Sequence, residues 1–124
     1  MAIFTTTGKA WVVDKIQEEP VGAALTLMKW IAWGTGAAAE AVGNTVLSVE
    51  AAEARVVSVL SQPAADTDRS VGTITCNATP KTITECGRFN QLAAGGTMMV
   101  RSLFTGIPMV SGDRIEFTQD LQVT

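Results

Sequence analysis

RSVGTITCNATPKTITECGRFNQLAAGGTMMVRSLFTGIPMVSGDRIEFT, residues 69–118, decides the fold. It reads as four short strands joined by turns. In DRIEFTQDLQV, residues 113–123, Ile115, Phe117, Leu121 and Val123 alternate with Arg114, Glu116, Thr118, Asp120 and Gln122. Period two predicts a strand with one buried and one wet face, and Gln119 is the exception on the apolar side. KTITECGRF and TMMVRSLF are two more strands, rich in β-branched and apolar residues. NQLAAGG, residues 90–96, joins them as a hairpin loop, because Gly95 and Gly96 tolerate positive φ. A hairpin symmetric about Ala93 sets Glu85 opposite Arg101, Ile83 opposite Leu103 and Gly87 opposite Met99. Glu85 and Arg101 then form a structural cross-strand salt bridge rather than a catalytic site. Thr105–Asp113 reads as a connection, since Pro108 cannot donate to a central ladder.

Outward from this stretch, ARVVSVLS at 54–61 is a strand and Pro63–Asp68 a polar loop. Residues 24–33, ALTLMKWIAW, form an apolar run that predicts a central strand buried on both sides. Trp30 and Trp33 have a second reading as interface aromatics. Gly34-Thr35-Gly36 is a turn, because a dinucleotide fingerprint needs a third glycine and an opening helix. Gly43-Asn44 marks another turn. Thr45 is a candidate cap for a helical turn reaching Glu50, and Glu40, Glu50 and Glu53 read as solvated. From Thr7 to Glu19, Trp11, Val12 and Ile16 recur near helical spacing, with Thr7 as N-cap and Pro20 and Gly22 as terminators. A strand is the alternative there, and residues 1–20 are a candidate N-terminal arm or helix. GKAW at 8–11 lacks the spacing of a phosphate loop.

The expected fold is mainly β: an antiparallel β-sandwich or jelly-roll-like barrel with one or two short helices, in a single domain over residues 1–124. The chain has no His, which removes the commonest general base and metal ligand. Cys76 and Cys86 are too few for a structural zinc site and read as free thiols, with a cross-strand disulfide as the lesser reading. No cofactor is expected, and no enzyme. Net charge is −3, and the nine Lys and Arg are scattered, which argues against nucleic acid. No leader is evident, and no apolar run is long enough to span a bilayer. A mean hydropathy of +0.25 favours a chain that covers surface with partners.

WGTG at 33–36, TPKTITECGRF at 79–89, GGTMMVRSLF at 95–104 and SGDRIEF at 111–117 occur in an order that resembles a group of small structural proteins of tailed-phage virions. The resemblance spans roughly residues 30–118. It implies a contact-making β-sandwich or jelly roll: a capsid cement or decoration protein, or alternatively a tail, neck or fibre component. It further implies localisation to the virion, assembled in the host cytoplasm. The partners expected are the major capsid protein or other virion proteins and further copies of itself, as a dimer or trimer, with neither nucleic acid nor membrane. Trp30, Trp33, Ile107 and Met109 are the interface candidates. Cys86 and Arg88 depart from the pattern, where apolar residues are expected, and Arg88 argues against burial of that face. A carbohydrate-binding module is the competing reading from another class, weakened by the lack of Tyr.

Overall fold

A computed structural model describes residues 2–17 and 27–123. The expected helix end at Pro20 and Gly22, and the beginning of the expected strand at 24–26, lie outside them. The described chain runs β1 (Ala2–Phe4), α1 (Thr6–Gln17), β2 (Trp30–Gly34), β3 (Val56–Val57), β4 (Val59–Ala64), β5 (Thr67–Thr75), β6 (Lys81–Phe89), β7 (Met98–Met109) and β8 (Arg114–Gln122). These strands form two antiparallel sheets, a larger one ordered β1-β7-β6-β2-β3 and a smaller one ordered β4-β5-β8. The protein is a mainly β sandwich with one short helix among the described residues. Its sheets stay open at their edges and do not close into a barrel.

Directly paired residues share a face, so register sorts the side chains. Ile31 pairs with Arg88, and Trp33 with Cys86. This face meets the small sheet in a core of Ile31, Trp33, Ile74, Cys76, Ile83, Cys86, Met109 and Phe117. Trp33 meets Phe117 edge-on, with ring centroids 6.4 Å apart. Each fully buried Ile, Phe or Met side chain contributes about 1.5–3 kcal/mol. The other face of the large sheet is also covered. Ala32, Phe89 and Met98 pack there with Leu47 from the 35–55 connection. Double coverage buries β2 on both faces as its apolar run predicts, but the strand starts only at Trp30: residues 27–29 lie outside it, Leu27 is 51% exposed, and β2 sits between β6 and the two-residue β3.

Several boundaries differ from expectation, each for a physical reason. Thr5, not Thr7, caps α1: its hydroxyl accepts the Gly8 N–H at 3.0 Å, and its carbonyl accepts the Lys9 N–H at 2.9 Å. Residues 45–50 form no helical turn, because Glu85 takes the Ser48 and Val49 N–H groups. β7 continues through the expected connection, pairing Ile107 with Ile83 and Met109 with Lys81. Pro108 is tolerated there because β1 flanks only Val100–Ser102, which leaves that part of β7 at an edge. The expected loop at 63–68 shrinks to Ala65-Asp66, closed by the Gln62 amide donating to the Ala65 carbonyl. The strand expected over 54–61 breaks at Ser58, where the chain leaves the large sheet as β3 and enters the small one as β4. The turn before β8 forms as its glycine predicts, with Gly112 at φ 88°.

Candidate functional site

A buried polar cluster surrounds Glu85 and Arg101 on the covered face of the large sheet. The hairpin is not symmetric about Ala93. Glu85 pairs with Leu103 and Arg101 with Gly87, with register irregularities at Ile83/Glu85 and Arg88/Phe89. The two side chains meet diagonally instead, Nη2 to Oε2 at 2.8 Å, and are 1% and 0% exposed. Glu85 Oε1 also accepts the N–H groups of Gly36 at 3.1 Å and Val49 at 2.8 Å, while Oε2 accepts that of Ser48 at 3.0 Å. Arg101 donates to the Ala38 and Ala39 carbonyls and to Asn44 Oδ1. One ion pair thus fastens both limbs of the 35–49 connection. Burial pushes the Glu85 carboxyl up, but the Val49 and Ser48 N–H groups and Arg101 outweigh it and hold the pKa below its ordinary value.

The WGTG glycines make room for this clamp. A Cβ on Gly34 would lie 2.4 Å from the Val49 carbonyl oxygen, and one on Gly36 would lie 2.5 Å from Glu85 Oε1. The motif's chemistry is steric clearance for a buried carboxylate.

The three glutamates expected in solvent are all engaged. Glu40 accepts the Leu103 N–H at 2.6 Å. Glu50 holds Arg55 through paired bonds of 2.8 and 3.0 Å, and the Arg55 guanidinium lies 3.7 Å above the Phe89 ring. Glu53 accepts from the Trp33 indole at 3.0 Å, the Asn77 N–H at 3.0 Å and Lys81. Burial raises the Glu53 carboxyl, yet Lys81, Asn77 and Trp33 together lower its pKa to about 2. Arg88 is buried as well, despite the expectation from its charge. It spans the sandwich from β6 to Asp68 of β5 and also donates to the Met28 carbonyl.

Of the interface candidates, Trp33 and Met109 are corrected to core residues, at 1% and 4% exposure. Both have inward register on strands that face the small sheet. Trp30 is half-buried against Ala32, Leu47, Phe89 and Met98, with the Lys29 ammonium 5.6 Å from its ring. Ile107 is 40% exposed and lines the opening between β7 and β8 with Phe104, Ile115 and Phe117. Trp30 and Ile107 therefore occupy different faces and do not form one patch. Gln119, the exception in the β8 alternation, points into the sandwich, and its amide nitrogen lies 3.3 Å from Cys86 Sγ. Its Oε1 has no hydrogen-bond partner among the described residues. Both cysteines are free and buried, and burial pushes the Cys86 thiol up to about 11.

Sequence reasoning missed the surface at β3 and β4. Val57, Val59 and Leu60 are 56%, 74% and 37% exposed, and every β4 residue is exposed. Pro63 was the available signal, since proline inside a strand marks an edge. Among the described residues, no group of three His, Cys, Asp or Glu is placed to hold a metal ion. No described helix is long and apolar enough to cross a membrane. No family model, no curated protein and no solved structure matches this chain.

Proposed function

We propose that this chain is a non-enzymatic structural protein of a tailed-phage particle, a cement protein that binds the assembled shell and bridges capsid subunits. The observation that carries the reading is how its surface is divided. Buried charges are committed to holding its own connections in place, through Glu85, Arg101, Glu53 and Arg55. Exposed apolar side chains sit on strand edges and turns instead, at Val57, Val59, Leu60, Ile107 and Val110. Such a surface is suited to contact with other folded chains. The order of segments, which resembles that of small virion proteins, supports the same reading.

The mechanism is linkage. A protein that binds the assembled shell and not its separated subunits stabilises the shell by mass action. Repeated weak contacts on a lattice add through effective concentration. Trp30 and Ile107 remain contact candidates.

The deciding measurement is the ratio of this protein to the major capsid protein in purified particles, by quantitative mass spectrometry. A ratio near unity, or a simple fraction of it, is expected. A few copies per particle would move the protein to the neck, tail or fibres. Absence from particles would overturn the assignment.

A further inference from the structure

We infer that β4 is a homodimerisation edge, at which two copies pair antiparallel about a two-fold axis and join their small sheets. Among the described residues β4 ends its sheet, hydrogen-bonded to β5 on one flank only, and all six of its residues are exposed. The open flank presents a row of backbone donors and acceptors, a template on which another extended chain can pair. The side chains narrow the occupant further. Val56–Ala65, VVSVLSQPAA, carries no charge in a chain with a net charge of −3. The edge at β8 is different, since Arg114, Glu116 and Asp120 stand along it. An incoming strand at β4 must therefore be uncharged and able to set apolar groups on both faces. Val59 offers one on the face it shares with Val71, and Leu60 offers one on the face it shares with Ser70.

β4 of a second copy meets these requirements. Antiparallel pairing brings no like charges together along the strand, and it carries the two Asp66–Asp68 turns to opposite ends. A hollow at the β4–β5 turn has an apolar side at Leu60, Ala65 and Val123, which gives the partner's apolar side chains a place to pack, and a polar end at Asp66 and Asp68. Pro63 has no N–H to offer, so it restricts pairing to the residues before it. A two-fold interface uses the same edge on both copies and closes on itself, ending as a dimer and not a fibre. The joined sheet, β8-β5-β4-β4-β5-β8, has an ordinary strand number. The proposal concerns the purified chain alone and stands independently of the particle assignment.

The test is sedimentation velocity on the purified full chain across micromolar to sub-millimolar concentration, with circular dichroism and thermal melting as fold controls. A monomer–dimer equilibrium is expected. Val59→Lys should raise the dimer dissociation constant about tenfold or more, with the spectrum unchanged. Gln62→Lys, also at an exposed position, should act in the same direction and serves as the readout if the first variant folds poorly. Mixing Val59→Lys with Val59→Glu should restore association relative to either alone, because opposite charges on adjoining strands attract. A wild-type chain that stays monomeric throughout overturns the proposal. So does a dimer that neither lysine variant weakens.

Discussion

Glu85 stands directly across the hairpin from Leu103, two residues out of line with Arg101, yet its carboxylate meets the Arg101 guanidinium at 2.8 Å. The offset matters because a facing surface pair and a buried diagonal pair have different energetics. Exposed pairs contribute at most about 1 kcal/mol. A fully buried pair is costly to break, since the remaining charge loses its compensation. Glu85→Ala should therefore destabilise by about 3–5 kcal/mol in chemical denaturation. It would also orphan the N–H groups of Gly36, Ser48 and Val49. In a double-mutant cycle, Glu85→Gln and Arg101→Met should be strongly non-additive. Additive costs would mean that the two residues act separately.

The clearance at the GTG turn gives a second test. Gly36→Ala sets a methyl group against Ser48 and Glu85 Oε1 at 2.4 and 2.5 Å. Overpacking of this kind costs about 1–3 kcal/mol. Gly43→Ala, where nothing lies within 4 Å of the new methyl, should leave the denaturation midpoint close to wild type.

Acid should loosen the junction of Glu53, Trp33 and Lys81. The Glu53 carboxyl falls from an ordinary 4.5 to about 2 in the folded chain. A depressed folded pKa means that the folded state holds the proton less tightly than the unfolded state. Its stabilising contribution is therefore complete above about 4.5 and is lost as pH falls toward about 2. Glu53→Gln should flatten the stability profile across that window, measured by denaturant midpoints at successive pH values. An unchanged slope would remove Glu53 as its source.

Two tryptophans of similar sequence context should separate cleanly. Trp33→Ala empties the centre of the core and removes one of the donors to the Glu53 carboxylate, at a cost of about 3–5 kcal/mol. Trp30, half-buried on the covered face, should cost less, and its fluorescence should be the more readily quenched by iodide.

Neither cysteine should react with a thiol reagent in the folded state, since both are buried and the Cys86 thiol is pushed up to about 11. Both should titrate once denaturant unfolds the chain. Rapid native labelling would contradict the packing of β6 against the small sheet.

What the sequence by itself determined is the local grammar. Alternation in DRIEFTQDLQV, the β-rich runs at 81–89 and 98–104, and the glycines at 95, 96 and 112 specify strands and turns through neighbouring residues alone. The apolar run ending in WGTG likewise marked a strand buried on both faces, though not its start at Trp30. Tertiary structure alone decided which polar residues are buried. Arg88, Glu85 and Glu53 look like surface residues in the chain because their partners, Asp68, the 35–49 backbone and Lys81, are distant in sequence. It also decided the hairpin register, since each bulge shifts every later pairing. Whether Val59 lies at a sheet edge or in its interior depends on which strand comes to rest beside it. Strand neighbours are set by the folding of the whole chain, and no local pattern encodes them.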